Sequence, residues 1–298
     1  MRDMTSDSAI QYIQAKSILS KLKDTDSYFG ITYNMNLYRG CQHGCIYCDT
    51  RSQCYGVGDI SQIRVKQNAI ELLNTELVAK RRKRATIGTG SMNDPYMPIE
   101  KTVGITRKAL EVIATNRFPV HIITKGDLVT RDIDVIQEIA KAYAAVSFTI
   151  TTHNDELGRK VEPFAPATSK RYKAIEQLAK NGIYTGVTMM PLLPFINDST
   201  ENIQHIIKSA SDAGAKYIIP MFGLTLRAGS REYFYKALDA EFPSLKAKYN
   251  KTFGLNYECW SLQYQKLSQV FNHERSKLGI ASRMDFYKPI EPQQQLLF

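Results

Sequence analysis

The segment RGCQHGCIYC, residues 39–48, holds three of the five cysteines of this 298-residue chain, spaced C-x3-C-x2-C. Three thiolates in one loop indicate a metal site. A structural zinc ion needs four nitrogen or sulfur ligands, and no second C-x2-C pair follows. A [4Fe-4S] cluster fits better, because three cysteine ligands leave one iron with an open coordination position. We therefore expect Cys41, Cys45 and Cys48 to bind such a cluster.

The cysteine loop belongs to a series of strand-and-helix units. Apolar, β-branched runs predict strands near residues 31–36, 85–90, 119–124, 145–151, 184–190 and 216–221. Helical periodicity follows them near residues 67–83, 103–115, 132–142, 169–181, 200–213 and 230–239. This alternation predicts an α/β fold with a parallel sheet, here a partial (β/α)6 barrel of the TIM type. In such folds the chemistry lies at the carboxyl ends of the strands.

The two ends of the chain are expected to add to this core. Residues 1–27 contain Ile10, Ile13, Ile18 and Leu19 and predict an N-terminal amphipathic helix. The core is expected to span residues 28–228, and residues 229–298 to form a helical, aromatic-rich extension. Aromatic residues of this kind usually form core, although they could also stack nucleic-acid bases. The last residues, 291–298, are expected to be a tail.

Composition points to an intracellular globular enzyme. The chain is 43% hydrophobic and 23% charged, which is ordinary for a globular protein. Its odd number of cysteines, clustered rather than spread out, favours a reducing compartment over a disulfide framework. The start has no apolar signal region, and no run of about 18 apolar residues occurs. We expect a cytoplasmic protein that does not bind membranes.

The charge balance bears on partners. A net charge of +10 favours a polyanionic partner such as a nucleic acid. The densest basic run, residues 80–84, precedes a predicted strand and so should lie at the edge of the sheet away from the cysteine loop. There it either grips phosphates or complements the dipole at a helix end.

The cysteine spacing, with Tyr47 directly before Cys48, resembles the signature of the radical S-adenosylmethionine (SAM) superfamily. The segment Tyr38–Cys48, followed by Asn-Asp-Pro-Tyr at residues 93–96, is similar to the spore photoproduct lyase-like branch, and the likeness covers roughly residues 33–227. The resemblance implies a partial-barrel core, a [4Fe-4S] cluster and SAM. It also implies reductive cleavage of SAM to a 5'-deoxyadenosyl radical that takes hydrogen from a substrate. A flavodoxin- or ferredoxin-like electron donor is the expected partner.

The same resemblance assigns polar contacts to SAM. Ser91 and Asp94 are expected to contact its amino group, and Lys125 its carboxylate. Both assignments have ordinary alternatives. Asn-Asp-Pro is turn chemistry by itself, and a loop lysine is commonly solvated.

Five further residues are expected to surround the nucleoside part of SAM. Thr149 and Thr151 share one face of a strand and are candidates for the ribose. Tyr47, Met189 and Met190 are candidates for the adenine. Strand threonines and methionines also serve simply as packing, and that alternative stays open.

The sequence departs from spore photoproduct lyase in the segment just after the second strand. The lyase carries a hydrogen-donor cysteine just after the second strand, where this chain reads Thr89-Gly90-Ser91. Cys54 and Cys259 are the remaining thiols and so the remaining catalytic candidates, unless each is only a small hydrophobic residue. The substrate is therefore left unidentified. A non-catalytic zinc or Fe-S protein, or a nucleic-acid-binding protein, is the alternative.

Overall fold

A computed structural model describes residues 10–289 of the chain. The strands are β1 (Gln11–Ile13), β2 (Leu19–Lys21), β3 (Tyr33–Met35), β4 (Tyr38–Arg39), β5 (Arg64–Lys66), β6 (Ile87–Gly88), β7 (Val120–Thr124), β8 (Ala144–Thr149), β9 (Tyr184–Met189), β10 (Tyr217–Pro220), β11 (Gly223–Thr225) and β12 (Glu258–Trp260). The helices are α1 (Ala69–Lys80), α2 (Glu100–Val103), α3 (Ile105–Thr115), α4 (Ile133–Ala140), α5 (Asp155–Val161), α6 (Thr168–Lys180), α7 (Thr200–Asp212), α8 (Ser230–Glu241), α9 (Leu245–Phe253) and α10 (Tyr264–Lys277).

The main sheet confirms the predicted α/β core. Its seven strands lie in the order β10-β9-β8-β7-β6-β3-β2. Six of them, β3 and β6 to β10, run parallel, and β2 joins the edge antiparallel to β3. The sheet is open, with β10 and β2 at its two edges. All six predicted strands are present, and their carboxyl ends meet at one edge of the sheet.

Burial explains why these strands read as continuous apolar runs. All six residues of β8 are buried. One face of the strand packs in the main core through Val146 and Phe148, and on the other face Ala145 packs with Tyr217 and Met284. Helix α4 shows the matching pattern, because it buries Val135, Ile136 and Ile139 on a single face. One hydrophobic core therefore extends from β2 to α10 and fixes the position of every strand end.

The predicted N-terminal helix is wrong for the residues that the structure describes. Residues 11–13 form β1, which pairs with β5, and residues 19–21 form β2, which pairs with β3. The backbone N–H groups of Ile18 and Leu19 donate to the Glu76 carboxylate at 2.9 and 3.0 Å. The spacing of Ile10, Ile13, Ile18 and Leu19 predicts a helical apolar stripe. The backbone groups of this segment instead find their hydrogen-bond partners in neighbouring strands and in α1. Residues 1–9 lie outside the described part of the chain.

The C-terminal extension contains the predicted helices and also a strand. Helices α8, α9 and α10 fall within it, and β12 returns to pair with β11. Some of its aromatic residues form core, such as Phe234, which packs edge-on against Tyr249. Others, including Tyr257, Trp260 and Tyr264, are exposed. Residues 291–298 lie outside the described residues, so the expected tail stays a prediction, as do the domain boundaries.

Two further expectations concern surfaces. Within residues 10–289, no helix combines the length and the apolar character that crossing a bilayer requires. The basic run 80–84 follows α1 and precedes β6, and residues 81–84 are exposed. It therefore lies at the amino ends of the strands, as expected.

Candidate functional site

A cavity of about 340 Å³ lies at the carboxyl ends of the parallel strands. All three cysteines of the C-x3-C-x2-C loop line it, which brings the predicted cluster ligands into one space. The expected SAM contacts Tyr47, Ser91, Asp94, Lys125, Thr149 and Met190 line it too. Most of the residues predicted for the site therefore line one cavity.

The cysteine loop is fixed by its backbone. Gly40 has φ +95°, and a Cβ atom there would lie 2.7 Å from the carbonyl oxygen of Ile60, so glycine is required at this close approach. The N–H of Cys41 donates to the same carbonyl at 2.8 Å. At the other end of the loop, Ile46 donates to the carbonyl of Val161 at 3.0 Å. The loop is therefore held from two sides.

The thiols are partly or fully shielded from solvent. Cys45 is buried, and Cys41 and Cys48 are half-buried. Burial raises the pKa of Cys41 to about 11 and that of Cys45 to about 12. Thiols in such surroundings are deprotonated by the cation they coordinate, because the metal charge stabilises the thiolate.

Asp94 joins three segments of the site. Its carboxylate lies 3.0 Å from Nε2 of His43 and accepts hydrogen bonds from the Thr124 hydroxyl and the Lys125 backbone N–H, both at 2.6 Å. It also accepts from the backbone N–H of Tyr96 at 2.9 Å. Burial alone would raise the pKa of Asp94, but His43 and these donors outweigh it and hold the pKa below its usual value. The carboxylate thus ties the cysteine loop to the ends of β6 and β7.

Tyr47 is held by a buried ion pair that the sequence did not reveal. Its hydroxyl donates to Glu162, whose other oxygen lies 2.5 Å from a guanidinium nitrogen of Arg171. Arg171 also donates to the carbonyl of Thr149 at 2.8 Å. Burial would raise the pKa of Glu162, but Arg171 and Lys125 keep it lowered. Because Tyr47 and Glu162 are 115 residues apart, no local motif could have joined them.

Lys125 places a cation at the cavity wall. Its ammonium lies 5.7 Å from the ring centroid of Tyr47. Burial would lower its pKa, but the nearby Cys45 and Glu162 raise it above the usual value. This lysine therefore stays protonated and can attract a carboxylate.

The two threonines expected at the ribose separate in the structure. Thr149 lines the cavity, and its hydroxyl lies 3.0 Å from that of Thr188. Thr151 does not line it; its backbone carbonyl accepts from Asn197 and Asn202, and its hydroxyl lies 3.5 Å from Glu162. Met190 reaches the cavity, whereas Met189 is buried in the core. Strand alternation does not reveal where a strand ends, and β8 ends at Thr149.

The two spare thiols lie in different surroundings. Cys259 is fully buried on β12 among apolar side chains, and burial raises its pKa to about 11. It does not reach the cavity. Cys54 is exposed, and its sulfur lies 3.5 Å from a guanidinium nitrogen of Arg227.

Cys54 belongs to a surface that we call the exposed rim, formed by Cys54, Tyr55, Arg227 and Tyr257. The Arg227 guanidinium lies 5.6 Å from the Tyr55 ring centroid and 4.7 Å from that of Tyr257. Tyr55 itself lines the cavity, and its hydroxyl donates to Asp49 at 2.7 Å. The exposed rim therefore borders the cavity opening.

Comparisons with known proteins agree with this geometry. An uncharacterized protein of Mycobacterium tuberculosis (strain ATCC 25618 / H37Rv) is 30% identical over 248 residues, which is 81% of this chain and 72% of the relative. One of Methanocaldococcus jannaschii is 33% identical over 227 residues, covering 75% and 82%. A structure of a mutant spore photoproduct lyase with bound AdoMet and dinucleoside spore photoproduct has the same fold, with a TM-score of 0.66 at 13% identity over 91% of this chain and 80% of that one.

The family assignment rests on the extent of the sequence match as well as on the site. The sequence model of the radical SAM superfamily matches residues 35–208, more than half of the chain. That range contains the three cysteines and the four parallel strands β6 to β9, and it ends within α7. The chain belongs to the radical SAM superfamily.

Proposed function

We propose that Cys41, Cys45 and Cys48 hold a [4Fe-4S] cluster and that SAM binds beside it in the cavity. The observation that carries the proposal is the convergence of three thiols and a half-buried lysine on one cavity at the strand ends. When bound, the cluster and SAM supply a reductive cleavage that yields a 5'-deoxyadenosyl radical able to take hydrogen from a substrate. The protein binds, orients and shields the reactants.

The number of thiols supports a cluster over a single structural zinc ion. A structural zinc site needs four nitrogen or sulfur ligands. Cys41, Cys45 and Cys48 line one cavity, and three cysteine ligands suit a [4Fe-4S] cluster with one open iron position.

The cavity walls suggest how SAM is oriented. Lys125 provides a cation for the carboxylate, and the exposed Ser91 provides a free hydroxyl for the amino group. Asp94 is better placed as a positioning residue, since both of its oxygens already accept protein donors. Thr149 offers a hydroxyl to the ribose, and Tyr47 and Met190 offer apolar surface to the adenine.

The experiment that tests this proposal is anaerobic reconstitution with iron and sulfide. We expect about four irons per chain, a brown protein, and conversion of SAM to 5'-deoxyadenosine after reduction by dithionite, measured by mass spectrometry. Ala substitution of Cys41, Cys45 or Cys48 should remove both the cluster absorbance and the cleavage. Cys54→Ala is the matched control and should keep its iron. Retention of the cluster by the Cys45→Ala variant, or its loss from Cys54→Ala, would show that the ligands are misassigned.

A nucleic acid is the substrate class that the exposed rim favours. The rim places Arg227 between two exposed tyrosines at the cavity opening, and Arg51 stacks on Tyr233 at 3.6 Å nearby. A guanidinium with aromatic faces is the combination that binds phosphates and stacks bases. Cys54 in this rim is the remaining candidate for a hydrogen relay, since it is exposed next to the cavity-lining Tyr55, although it does not line the cavity itself, whereas Cys259 is buried among apolar side chains. The flavodoxin- or ferredoxin-like electron donor stays a prediction.

A further inference from the structure

A second cluster of metal-ligand side chains lies outside the cavity. His153, Glu201 and His205 each offer one ligand atom, and these atoms all lie within 4.8 Å of one another. The two imidazole rings are stacked, with centroids 4.5 Å apart and planes 22° from parallel. None of the three residues lines the SAM cavity.

Two elements supply these side chains. His153 lies in the loop between β8 and α5, while Glu201 and His205 are four residues apart in the first turns of α7. Helix α7 buries the opposite face, which includes Ile203, Ile206 and Ile207. Glu201 and His205 are exposed, so core packing does not account for their positions.

The tautomer of His153 is fixed by a hydrogen bond of the kind that orients metal ligands. Oδ1 of Asn202 accepts from the backbone N–H of His153 at 2.9 Å, and Nδ1 of the ring lies 3.0 Å from the same oxygen. The Asn202 amide nitrogen is committed to the carbonyls of Thr151 and Asn197, both at 2.9 Å. Since Oδ1 can only accept, Nδ1 carries the hydrogen. Nε2 is then left with a free lone pair, which is the form that binds a cation.

We propose that His153, Glu201 and His205 form a site for a zinc-type divalent cation, with water in the fourth position. Two imidazoles and one carboxylate suit zinc rather than magnesium or calcium, which prefer oxygen ligands. In a tetrahedral site, zinc–nitrogen and zinc–oxygen bonds of about 2.0 to 2.2 Å would place the ligand atoms about 3.4 Å apart. Small rotations of the exposed Glu201 and His205 side chains are sufficient to reach that spacing.

The bound cation would join the loop after β8 to the first turns of α7. Both segments also meet through Asn202, which bonds the Thr151 carbonyl in that loop. The cation would therefore brace the strand end that carries Thr149 into the cavity wall. This role is structural and is independent of the reaction proposed for the cavity.

The test is zinc binding by the reconstituted full-length protein, in which the three cysteines are occupied by the cluster. We expect one zinc per chain beyond the amount that the His153→Ala/His205→Ala double variant retains. His205→Ala and Glu201→Gln should each weaken zinc affinity on the order of 100-fold, measured by competition with a chelating dye. His273→Ala, an exposed histidine on α10, is the matched control and should bind zinc like the wild type.

Thermal unfolding gives a second readout that does not depend on metal counting. Zinc should raise the Tm of the wild type and of His273→Ala, and at the same zinc concentration it should raise the Tm of Glu201→Gln by less. The proposal would be overturned if the wild type and His205→Ala bound zinc with equal affinity. It would also be overturned if the wild type retained no more zinc than the double variant does. Because neither assay measures SAM cleavage, these results are separable from success or failure of the cavity's proposed function.

Discussion

The cavity has two sides that are built differently. The cysteine loop is held by backbone hydrogen bonds and by two buried carboxylates, Asp94 and Glu162, whose oxygens accept several donors. The exposed rim, in contrast, is held by cation–aromatic contacts and by hydrogen bonds of partly exposed side chains such as that of Arg227 to Tyr257. One side has a fixed geometry, and the other can adjust.

This difference matches two separate demands of the proposed function. A cluster and its cofactor require ligands held within about 0.5 Å of the productive geometry, which buried hydrogen bonds provide. A substrate-binding surface must admit a molecule from solvent, so its side chains stay accessible. Changes on the cysteine-loop side should therefore lower stability, whereas changes on the exposed rim should lower affinity for a partner.

The largest effect on stability is expected at the buried ion pair. Arg171→Met removes the ion-pair partner of the buried Glu162 and leaves it only the Lys125 cation and the Tyr47 hydroxyl, and breaking a buried pair in this way costs about 3 to 5 kcal/mol of unfolding free energy. It should also loosen Tyr47, because Glu162 accepts the hydrogen bond of its hydroxyl. Denaturant unfolding measures the first effect, and iron retention during gel filtration measures the second.

Two variants control for this result. Glu176→Gln removes an exposed pair with Lys180 and should leave stability unchanged. The double variant Glu162→Gln/Arg171→Met removes both charges and should recover part of the loss. If Arg171→Met unfolds like the wild type, the ion pair is not what anchors the cysteine loop.

Much of the cysteine side could be predicted from the sequence, and the reason is local spacing. The thiols, Tyr47 and the strand-end position of Lys125 follow from short motifs and from the strand-helix alternation. Glu162 and Arg171 could not be predicted, because their partners are distant in the chain and nothing local distinguishes them from surface charges. The two N-terminal strands were missed for the same reason, since strand pairing with β3 and β5 is a long-range property.

A smaller effect, on binding rather than on stability, is expected at the exposed rim. Arg227→Ala should weaken binding of a single-stranded oligonucleotide and reduce the dependence of log affinity on log salt by about one unit, as the loss of one phosphate contact would. Fluorescence anisotropy over a range of salt concentrations measures both quantities. The Tyr257→Phe variant keeps the ring and should bind like the wild type. Unchanged affinity in Arg227→Ala would remove the rim from the proposed substrate path.

The smallest effect on the cavity is expected from the basic run at residues 80–84, which lies at the opposite edge of the sheet. Replacing all five residues with Gln should leave SAM cleavage unchanged and weaken only nonspecific binding of nucleic acids. Cations near a helix end contribute about 0.3 to 1 kcal/mol each, and Arg81 donates to the Val78 carbonyl at the end of α1. A modest fall in stability is therefore expected.

Paired assays of SAM cleavage and oligonucleotide affinity, run beside Arg227→Ala, separate the two surfaces. A folded five-site variant that loses SAM cleavage would contradict the separation of the basic run from the cavity, and with it the assignment of substrate entry to the exposed rim.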